Sequence, residues 1–299
     1  MLKALLSDLS KADEWEVSTL LDSLADADRF KANRIALGGG NFFSDVESEM
    51  KKSDAVWIIA PESGENLLKL TRLAESLGKN VIGPDSGAVD VCGDKLKMYE
   101  RLRGIVPTPH TEQFNTGFSS FPCVVKPRYG AGCEKVFKLN SKEALKSFNG
   151  NGENGENKDE FIIQTFAAGK TLSAAILNGI DGFSILGVCR QVIKNDSNLI
   201  RVDSIRPLSY QNLGKLKKMV GKIIETIPGL RGYWGIDFND HDGEPALIEI
   251  NPRITASYPY YSKMHYLNIS LPPAEIALHG AMGKFPSLIE LLASNKDWS

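Results

Sequence analysis

Two carboxylates and an amide lie on two neighbouring stretches that both read as β-strands. Asp237 lies near the end of one stretch, and Glu249 and Asn251 lie two residues apart on the next. Side chains two apart on a strand point to the same face, and the turn-forming residues 239–243 fold the second strand back onto the first. Oxygen ligands of this kind suit Mg²⁺ or Mn²⁺. We therefore predict that these three residues bind a divalent metal ion.

The surroundings of Glu249 favour a metal site over the alternative, a set of solvated charges on a strand face. Glu249 stands inside the otherwise apolar run 246–250, where an unpaired buried carboxylate would be costly. Arg253 follows Pro252 directly after this run, and its planar guanidinium can bind a phosphoryl oxygen or an acyl phosphate. The region therefore has residue types that phosphoryl transfer requires.

A lysine followed by a glycine-containing loop marks a second candidate site. Lys126 lies at the end of the apolar stretch 122–127, and Gly130 and Gly132 follow it. Glycines let backbone N–H groups approach phosphate oxygens closely, and a lysine supplies a mobile positive charge. The loop matches neither the Walker A pattern nor GxGxxG, so a purely structural role is the alternative.

The helices and strands predicted around these residues follow two different patterns, one before and one after about residue 92. Up to about residue 92, helices alternate with short apolar strands. We predict helices at 2–9 and 67–77 and strands at 15–22, 55–60 and 80–83. This alternation predicts a small doubly wound α/β domain that binds ligands at loops such as 61–65. Because a helix comes first, either a strand is missing ahead of it or the fold starts with a helix.

From about residue 93, paired strands with helices on one side predict an α+β architecture. We predict helices at 95–100 and 213–226, and strands at 122–127, 136–139, 161–164, 172–177, 183–188, 233–238 and 245–251. The polar, glycine-rich segment 149–160 predicts a mobile surface loop.

Taken in chain order, these motifs resemble the ATP-grasp superfamily. The resemblance covers roughly residues 54–262 and rests on Gly93–Lys95, on 121–127 with its glycine loop, on 163–169, and on Asp237 with 249–253. It implies an N-terminal pre-ATP-grasp domain (1–92), a small subdomain with the glycine loop (93–167) and a large subdomain with the metal site (168–299). ATP would bind between the two subdomains.

The same resemblance implies a role for each matching residue. The implied ATP-binding residues are Lys95, Lys126, Gly130, Gly132, Gln164, Thr165 and Ala167. The lysines would contact phosphates, the glycines would belong to the loop that closes over them, and the last three would lie at the adenine hinge. Asp237, Glu249 and Asn251 would hold one or two Mg²⁺, with Glu249 bridging. Arg253 and Lys126 would be catalytic, Arg253 by steadying the transferring phosphoryl group.

The segment Gly169–Ala174 resembles a narrower group that includes tyramine–glutamate ligases of methanofuran biosynthesis. That group implies a ligase that activates a carboxylate as an acyl phosphate, with glutamate and tyramine as substrates. Arg206 could hold a substrate carboxylate and Tyr258 could flank an aromatic amine, although exposed arginines are mostly solvated and tyrosine clusters mostly pack. Many family members bind the ribose with an acid shortly after the hinge glycine, and here Lys170 and Thr171 follow it.

Bulk composition narrows the remaining function classes. The chain of 299 residues has a net charge of -2 and a pI near 6.1, so it lacks the broad basic field of nucleic-acid-binding proteins. No apolar run approaches the ~20 residues that span a bilayer. Four scattered cysteines predict unpaired thiols in a reducing cytoplasm.

Other interpretations of the chain stay open. Another ATP-grasp amino-acid ligase or a carboxylase would differ in the acceptor, and a non-catalytic module would only bind ATP. A dinucleotide-binding oxidoreductase ranks lowest, because the first domain lacks the glycine fingerprint of that fold. A homo-oligomer is compatible with the sequence, since periodicity does not separate the apolar faces of a dimer from core faces.

Overall fold

Helices alternate with short parallel strands in the first 93 residues, as the sequence predicts. The computed structural model describes residues 1–11, 15–22, 24–148, 158–179, 182–196 and 198–263, together with Ala274, Ala277 and Ala281. The helices of this part are α1 (Leu2–Leu9), α2 (Phe42–Lys51), α3 (Asn66–Ser76) and α4 (Ser86–Gly93). The strands are β1 (Ser18–Asp22), β2 (Arg34–Gly38), β3 (Ala55–Val56) and β4 (Asn80–Val81). Among the described residues, β1 pairs only with β2 and β3 only with β4, both in parallel.

Apolar spacing explains α1 and α3. Helix α1 buries Leu5, Leu6 and Leu9, and α3 buries a similar stripe along the stretch 67–74. These helices confirm the predictions for 2–9 and 67–77. Strand β3 ends at Val56 and is therefore shorter than the predicted strand 55–60.

Strand β2 and helix α2 were not predicted from the sequence. A capping signal lies between them, because Asn41 directly precedes α2 and its side-chain oxygen accepts hydrogen bonds from the backbone nitrogens of Phe43 (3.1 Å) and Ser44 (3.3 Å). Asparagine at this position is among the strongest starts of a helix. The three glycines before it mark the turn out of the strand.

The rest of the chain is organised around one antiparallel sheet. Its strands are β5 (Thr111–Gln113), β6 (Cys123–Pro127), β7 (Val136–Leu139), β8 (Phe161–Thr165), β9 (Lys170–Gly179), β10 (Gly182–Asp196), β11 (Leu199–Leu208), β12 (Gly232–His241) and β13 (Glu244–Asn251). Within the described ranges they lie in the order β13-β12-β9-β10-β11-β7-β6-β8-β5. The predicted hairpins β6–β7 and β12–β13 are confirmed, and β11 was not predicted.

Helices cover this sheet and define its two faces. They are α5 (Lys95–Leu102), α6 (Lys142–Lys146), α7 (Leu213–Thr226) and α8 (Tyr258–Lys263). Helix α7 has the predicted bounds, and its buried residues share one core cluster with Trp234, Ile236 and Phe238 of β12. Because side chains alternate along a strand, Asp237 lies on the opposite face from this core.

The predicted loop 149–160 and the predicted lack of a membrane span are the remaining sequence predictions about the fold. Of the predicted loop 149–160, residues 149–157 lie outside the described residues, and Lys158–Glu160 form a 3₁₀ turn. A search of the described residues finds no helix that is long and apolar enough to cross a membrane.

Candidate functional site

Asp237 and Glu249 form the centre of the candidate site. They are directly paired across β12 and β13, and Asp237 also accepts hydrogen bonds from the side-chain amides of Gln191 (2.9 Å) and Asn251 (3.4 Å). Burial and the neighbouring charge of Glu249 raise the pKa of Asp237 well above its usual value. Burial also acts to raise the pKa of Glu249, but the charges of Lys95 and Lys126 outweigh it and lower that pKa overall. Ionisation of the two carboxyls is thus linked, and a cation beside Asp237 would favour its charged form.

This donor set fits a divalent cation. The site offers the two carboxylates of Asp237 and Glu249 and the amide of Asn251. The described residues contain no cluster of three or more His, Cys, Asp or Glu side chains that could hold a metal. Mg²⁺ typically takes one or two carboxylates and completes its shell with water and substrate phosphates. Ser173 lies opposite Asp237 on β9, and its buried hydroxyl has no hydrogen-bond partner among the described residues. The sequence analysis missed Gln191 and Ser173, because their approach to Asp237 depends on strand register.

Two buried lysines face Glu249. The Nζ atoms of Lys95 and Lys126 lie 3.7 Å and 4.0 Å from Glu249 Oε2, and the two residues are only 8% and 4% exposed. Burial lowers the pKa of Lys126 to about 8, although Glu249 acts to raise it. Two ammonium groups beside Glu249 concentrate positive charge here, and such charge suits nucleotide phosphates.

The glycine loop is tied to the start of α5 by Asp94. This fully buried carboxylate caps α5 through the backbone nitrogens of Leu96 and Lys97 and binds Arg128 Nε (2.8 Å), Arg128 NH2 (2.7 Å) and the Tyr129 hydroxyl (2.8 Å). Burial acts to raise the pKa of Asp94, but the hydrogen bonds from Arg128 and Tyr129 lower it overall. The network therefore holds the loop against the helix that carries Lys95. An acidic N-cap directly before Lys95 was the sequence signal for this role.

Gly130 and Gly132 lie in the loop between β6 and β7. Gly130 accepts a hydrogen bond from Lys95 Nζ through its carbonyl (2.9 Å), and Gly132 has a φ of 71°. A positive φ suits glycine, which has no Cβ to clash. The loop thus approaches the lysines through its backbone.

The residues predicted at the adenine hinge lie at or just after the end of β8. Gln164 is buried, and its Nε2 donates to Thr111 Oγ1 (2.8 Å), so this side chain is engaged with the neighbouring strand β5. The backbone nitrogen of Thr165 donates to the His110 carbonyl (2.9 Å). The Ala167 carbonyl accepts a hydrogen bond from the Asn239 side chain on β12. Asn239, which the sequence pattern did not indicate, therefore ties the segment after β8 to the strand that carries Asp237.

Arg253 is held by a residue of the N-terminal region. Its Nε lies 2.9 Å from Glu62 Oε1, its NH2 donates to Glu62 Oε2 (3.0 Å), and its NH1 donates to the Ile254 carbonyl (3.2 Å). The charge of Arg253 is also among the influences that lower the pKa of Glu249. Arg253 therefore lies within electrostatic reach of the acidic pair. Glu62 was noted only as part of a loop where ligands bind.

The structure does not bring Arg206 to the site. Phe238, Leu172, Arg190 and Arg206 are paired in one row across β12, β9, β10 and β11, whereas Asp237 lies in the adjacent row, which continues through Ser173, Cys189 and Pro207. Neighbouring rows point to opposite faces of a sheet. The exposed Arg206 therefore lies on the face opposite Asp237, which corrects the prediction of a substrate contact.

Tyr258 lies in a hydrophobic core cluster. It is fully buried, and its hydroxyl donates to Asp8 Oδ2 (2.7 Å) on α1. Its ring packs edge-on against Tyr233, with the centroids 5.5 Å apart. Tyr258 is therefore a core residue, and the prediction that it flanks an amine substrate is wrong.

Comparison with protein families and known proteins gives consistent matches. The family model described as an ATP-grasp domain matches residues 92–257, and a pre ATP-grasp 3 domain matches residues 15–89. A tyramine–L-glutamate ligase of Methanocaldococcus fervens is 29% identical over 208 residues, which are 69% of this chain and 61% of the relative. The chain thus spans about three fifths of the length of that relative.

Solved structures show the same similarity. A putative ATP-grasp superfamily protein from Archaeoglobus fulgidus is 27% identical with a TM-score of 0.61, and the match covers 82% of this chain and 71% of that protein. The biotin carboxylase domain of Hydrogenobacter thermophilus 2-oxoglutarate carboxylase, solved with MgADP and bicarbonate, is 16% identical with a TM-score of 0.73. That match covers 95% of this chain and 69% of the carboxylase domain. At this identity the likeness concerns the fold alone.

Proposed function

Because the chain belongs to the ATP-grasp family, we propose that it is an ATP- and Mg²⁺-dependent ligase that joins a carboxylate to an amine through an acyl phosphate. The observation that carries this proposal is the pair Asp237–Glu249, which faces the two buried lysines Lys95 and Lys126. Acids for a metal and cations for phosphates thus lie within one small volume. Two buried lysines beside two partly buried carboxylates are costly to desolvate, and a purely structural role does not explain why the charges are kept together.

ATP would extend from the hinge to the acidic pair. The adenine would bind near Thr165 and Ala167, and its phosphates would reach Lys95, Lys126 and the glycine loop. Asn239 supports this path, because it lies on the same strand as Asp237 and holds the Ala167 carbonyl. Strand rise is about 3.4 Å per residue, so the two side chains are separated by about 7 Å along the strand.

Asp237, Glu249 and Asn251 are the residues that would hold Mg²⁺, and Mn²⁺ would suit the same oxygens. When bound, the ion would neutralise charge on the nucleotide phosphates. Lys126 and Arg253 would offer N–H groups to the γ-phosphoryl oxygens as negative charge moves toward the leaving ADP. Positioning and electrostatics supply most of the catalysis in such transfers, so no nucleophilic side chain is needed.

The chemistry would run in two steps. A substrate carboxylate oxygen attacks the γ-phosphorus, the bond to the β-phosphate oxygen breaks, and ADP leaves an acyl phosphate behind. The amine nitrogen then attacks the acyl carbon, inorganic phosphate leaves, and the nitrogen loses a proton. Glutamate and tyramine are our preferred substrates, supported by the similarity to the M. fervens ligase. Methanofuran biosynthesis would be the corresponding pathway.

A carboxylase is the second candidate. The fold similarity to a biotin carboxylase domain supports it, because such an enzyme would use the same nucleotide site with bicarbonate as the carboxylate.

A reducing, cytoplasmic location is part of the proposal. It is supported by the four free cysteines, all of which lie in the described ranges.

The test is ADP release with Mg-ATP and a panel of amino acids, bicarbonate and amines, given singly and in pairs. We expect release to require a carboxylate together with an amine, and glutamate with tyramine to give the highest rate. Stimulation by bicarbonate alone would favour the carboxylase. ATP binding without release under any combination would contradict the ligase and leave a non-catalytic module.

A further inference from the structure

Glu62 forms a two-pronged ion pair with Arg253 across 191 residues of sequence. The loop that carries Glu62 follows β3 in the N-terminal region, whereas Arg253 follows β13. The side chains of Glu62 and Arg253 are 5% and 13% exposed, so water contributes little to holding the pair. The hydrogen bond from NH2 to Oε2 and the close approach of Nε to Oε1 together hold the guanidinium at a defined distance and angle from the carboxylate.

Glu62 also touches the segment that carries Lys95. A Cβ built on Gly93 would meet Glu62 Cγ at 3.6 Å, so the carboxylate side chain packs over the end of α4. Asp94 and Lys95 follow Gly93 directly. One side chain therefore links the N-terminal loop, the start of the lysine-bearing helix and the arginine beside the acidic pair.

The contacts of Arg253 leave a defined set of donors. A guanidinium has five N–H groups. One N–H on NH2 donates to Glu62 and one on NH1 donates to the Ile254 carbonyl. Nε lies 2.9 Å from Glu62 Oε1 without forming a hydrogen bond, so in the described part of the chain the Nε–H and the second N–H on each of NH1 and NH2 have no assigned acceptor. Glu62 sets the orientation of the second N–H groups on NH1 and NH2, because the guanidinium cannot rotate without losing its hydrogen bond and its close ion contact with this carboxylate.

We propose that Glu62 is a positioning residue for phosphoryl transfer, which fixes the Arg253 guanidinium so that the second N–H groups of NH1 and NH2 face the phosphoryl oxygens. The inference rests on the proposed function, since it needs a transfer step to act on. It gives the N-terminal domain a part in catalysis beyond substrate binding. A carboxylate is required because an amide at position 62 would turn an N–H group toward one of the arginine N–H groups.

Two variants and their combination test this role. Glu62→Gln keeps the size of the side chain, and Arg253→Lys keeps the charge but loses the fork. Glu47→Gln is the control, because Glu47 forms an ion pair with Lys51 on the surface of the same region (2.6 Å). The measurements are kcat and KM for ATP in ADP release, together with thermal unfolding.

We expect Glu62→Gln to lower kcat by up to about 100-fold, the cost of a misplaced catalytic group, with KM for ATP changed less than about threefold. In the Arg253→Lys background the same change should cost less than about threefold more, because the fork is already lost. A structural anchor would instead give losses that multiply in the double variant and that follow the drop in melting temperature.

The outcomes separate the two proposals. If the wild type releases ADP and Glu62→Gln behaves like Glu47→Gln, or if the losses multiply, the positioning role is overturned and the ligase stands. If the wild type releases no ADP with any pair while it binds ATP, both are overturned. The positioning role is supported if Glu62→Gln lowers kcat in the protein with Arg253 but costs little more in the Arg253→Lys background.

Discussion

Asp237 and Glu249 lie directly opposite each other on β12 and β13, with their pKa values moved in opposite directions. Burial and the Glu249 charge raise the pKa of Asp237, whereas Lys95 and Lys126 overcome the effect of burial on Glu249. A divalent cation that binds both carboxylates would compete with protons for them. The first two predictions test whether Asp237 and Glu249 bind such a cation.

Glu249→Gln should abolish most ADP release without unfolding the protein. The loss should be at least about 100-fold, since even indirect partners of metal ligands are typically worth about 10- to 100-fold. ADP release and thermal unfolding would be measured together. Glu244→Gln is the matched control, because Glu244 lies on the same strand in an exposed pair with Lys215. Near-normal turnover of Glu249→Gln would remove this residue from the metal site.

Mg²⁺ together with ADP should raise the melting temperature of the wild type. Ligands that bind only the folded state stabilise it, by about 2.7 kcal/mol at a concentration of 100 Kd. Asp237→Asn should lose the part of this stabilisation that depends on Mg²⁺ and keep the part due to ADP alone. Equal Mg²⁺ effects in both proteins would show that the ion binds elsewhere. Differential scanning fluorimetry with and without EDTA gives the comparison.

Asp94→Asn should lower stability in a pH-dependent way. Because the pKa of Asp94 is lower in the folded protein, its contribution is present above the ordinary aspartate pKa of about 4 and is lost as pH falls through the folded value. Near neutral pH we expect a cost of about 2–4 kcal/mol. Urea unfolding from pH 2 to 7 should show the two curves converging below about pH 4. Asp28→Asn, at an exposed position, serves as the reference.

Asn239→Ala should weaken ATP binding more than catalysis. The variant loses the hydrogen bond to the Ala167 carbonyl, which is worth about 0.5–1.5 kcal/mol. KM for ATP should therefore rise about twofold to tenfold while kcat stays within about twofold. Steady-state kinetics against Asn115→Ala, an exposed asparagine, gives the measurement. A fall in kcat at constant KM would contradict a role at the hinge.

Tyr258→Phe should affect stability and leave kinetics unchanged. Removing the hydroxyl takes a donor from Asp8, which is only 2% exposed, and this should cost about 1–3 kcal/mol. Tyr260→Phe, at a position that is 39% exposed, should cost much less. Denaturant unfolding and KM for each substrate would be compared in both variants. A raised KM for the amine at unchanged stability would restore Tyr258 as a substrate residue.

Local sequence pattern is enough to predict several parts of the site. Glu249 and Asn251 share a face because two residues on one strand do so in any fold, and a short turn sequence brings Asp237 to them. The bounds of α7 follow from its apolar period in the same way. The glycine loop after Lys126 is also a local feature, because a strand, a lysine and two glycines follow each other within a few residues.

The distant residues that join them depend on how the folded chain packs. Glu62 and Arg253 are 191 residues apart, and Tyr258 and Asp8 are 250 apart, so no local pattern links either pair. The face on which Arg206 lies depends on the register of four strands, and a slip by one residue would reverse it. Local periodicity sets the direction of a side chain relative to its own strand, whereas register and domain packing set what that side chain meets.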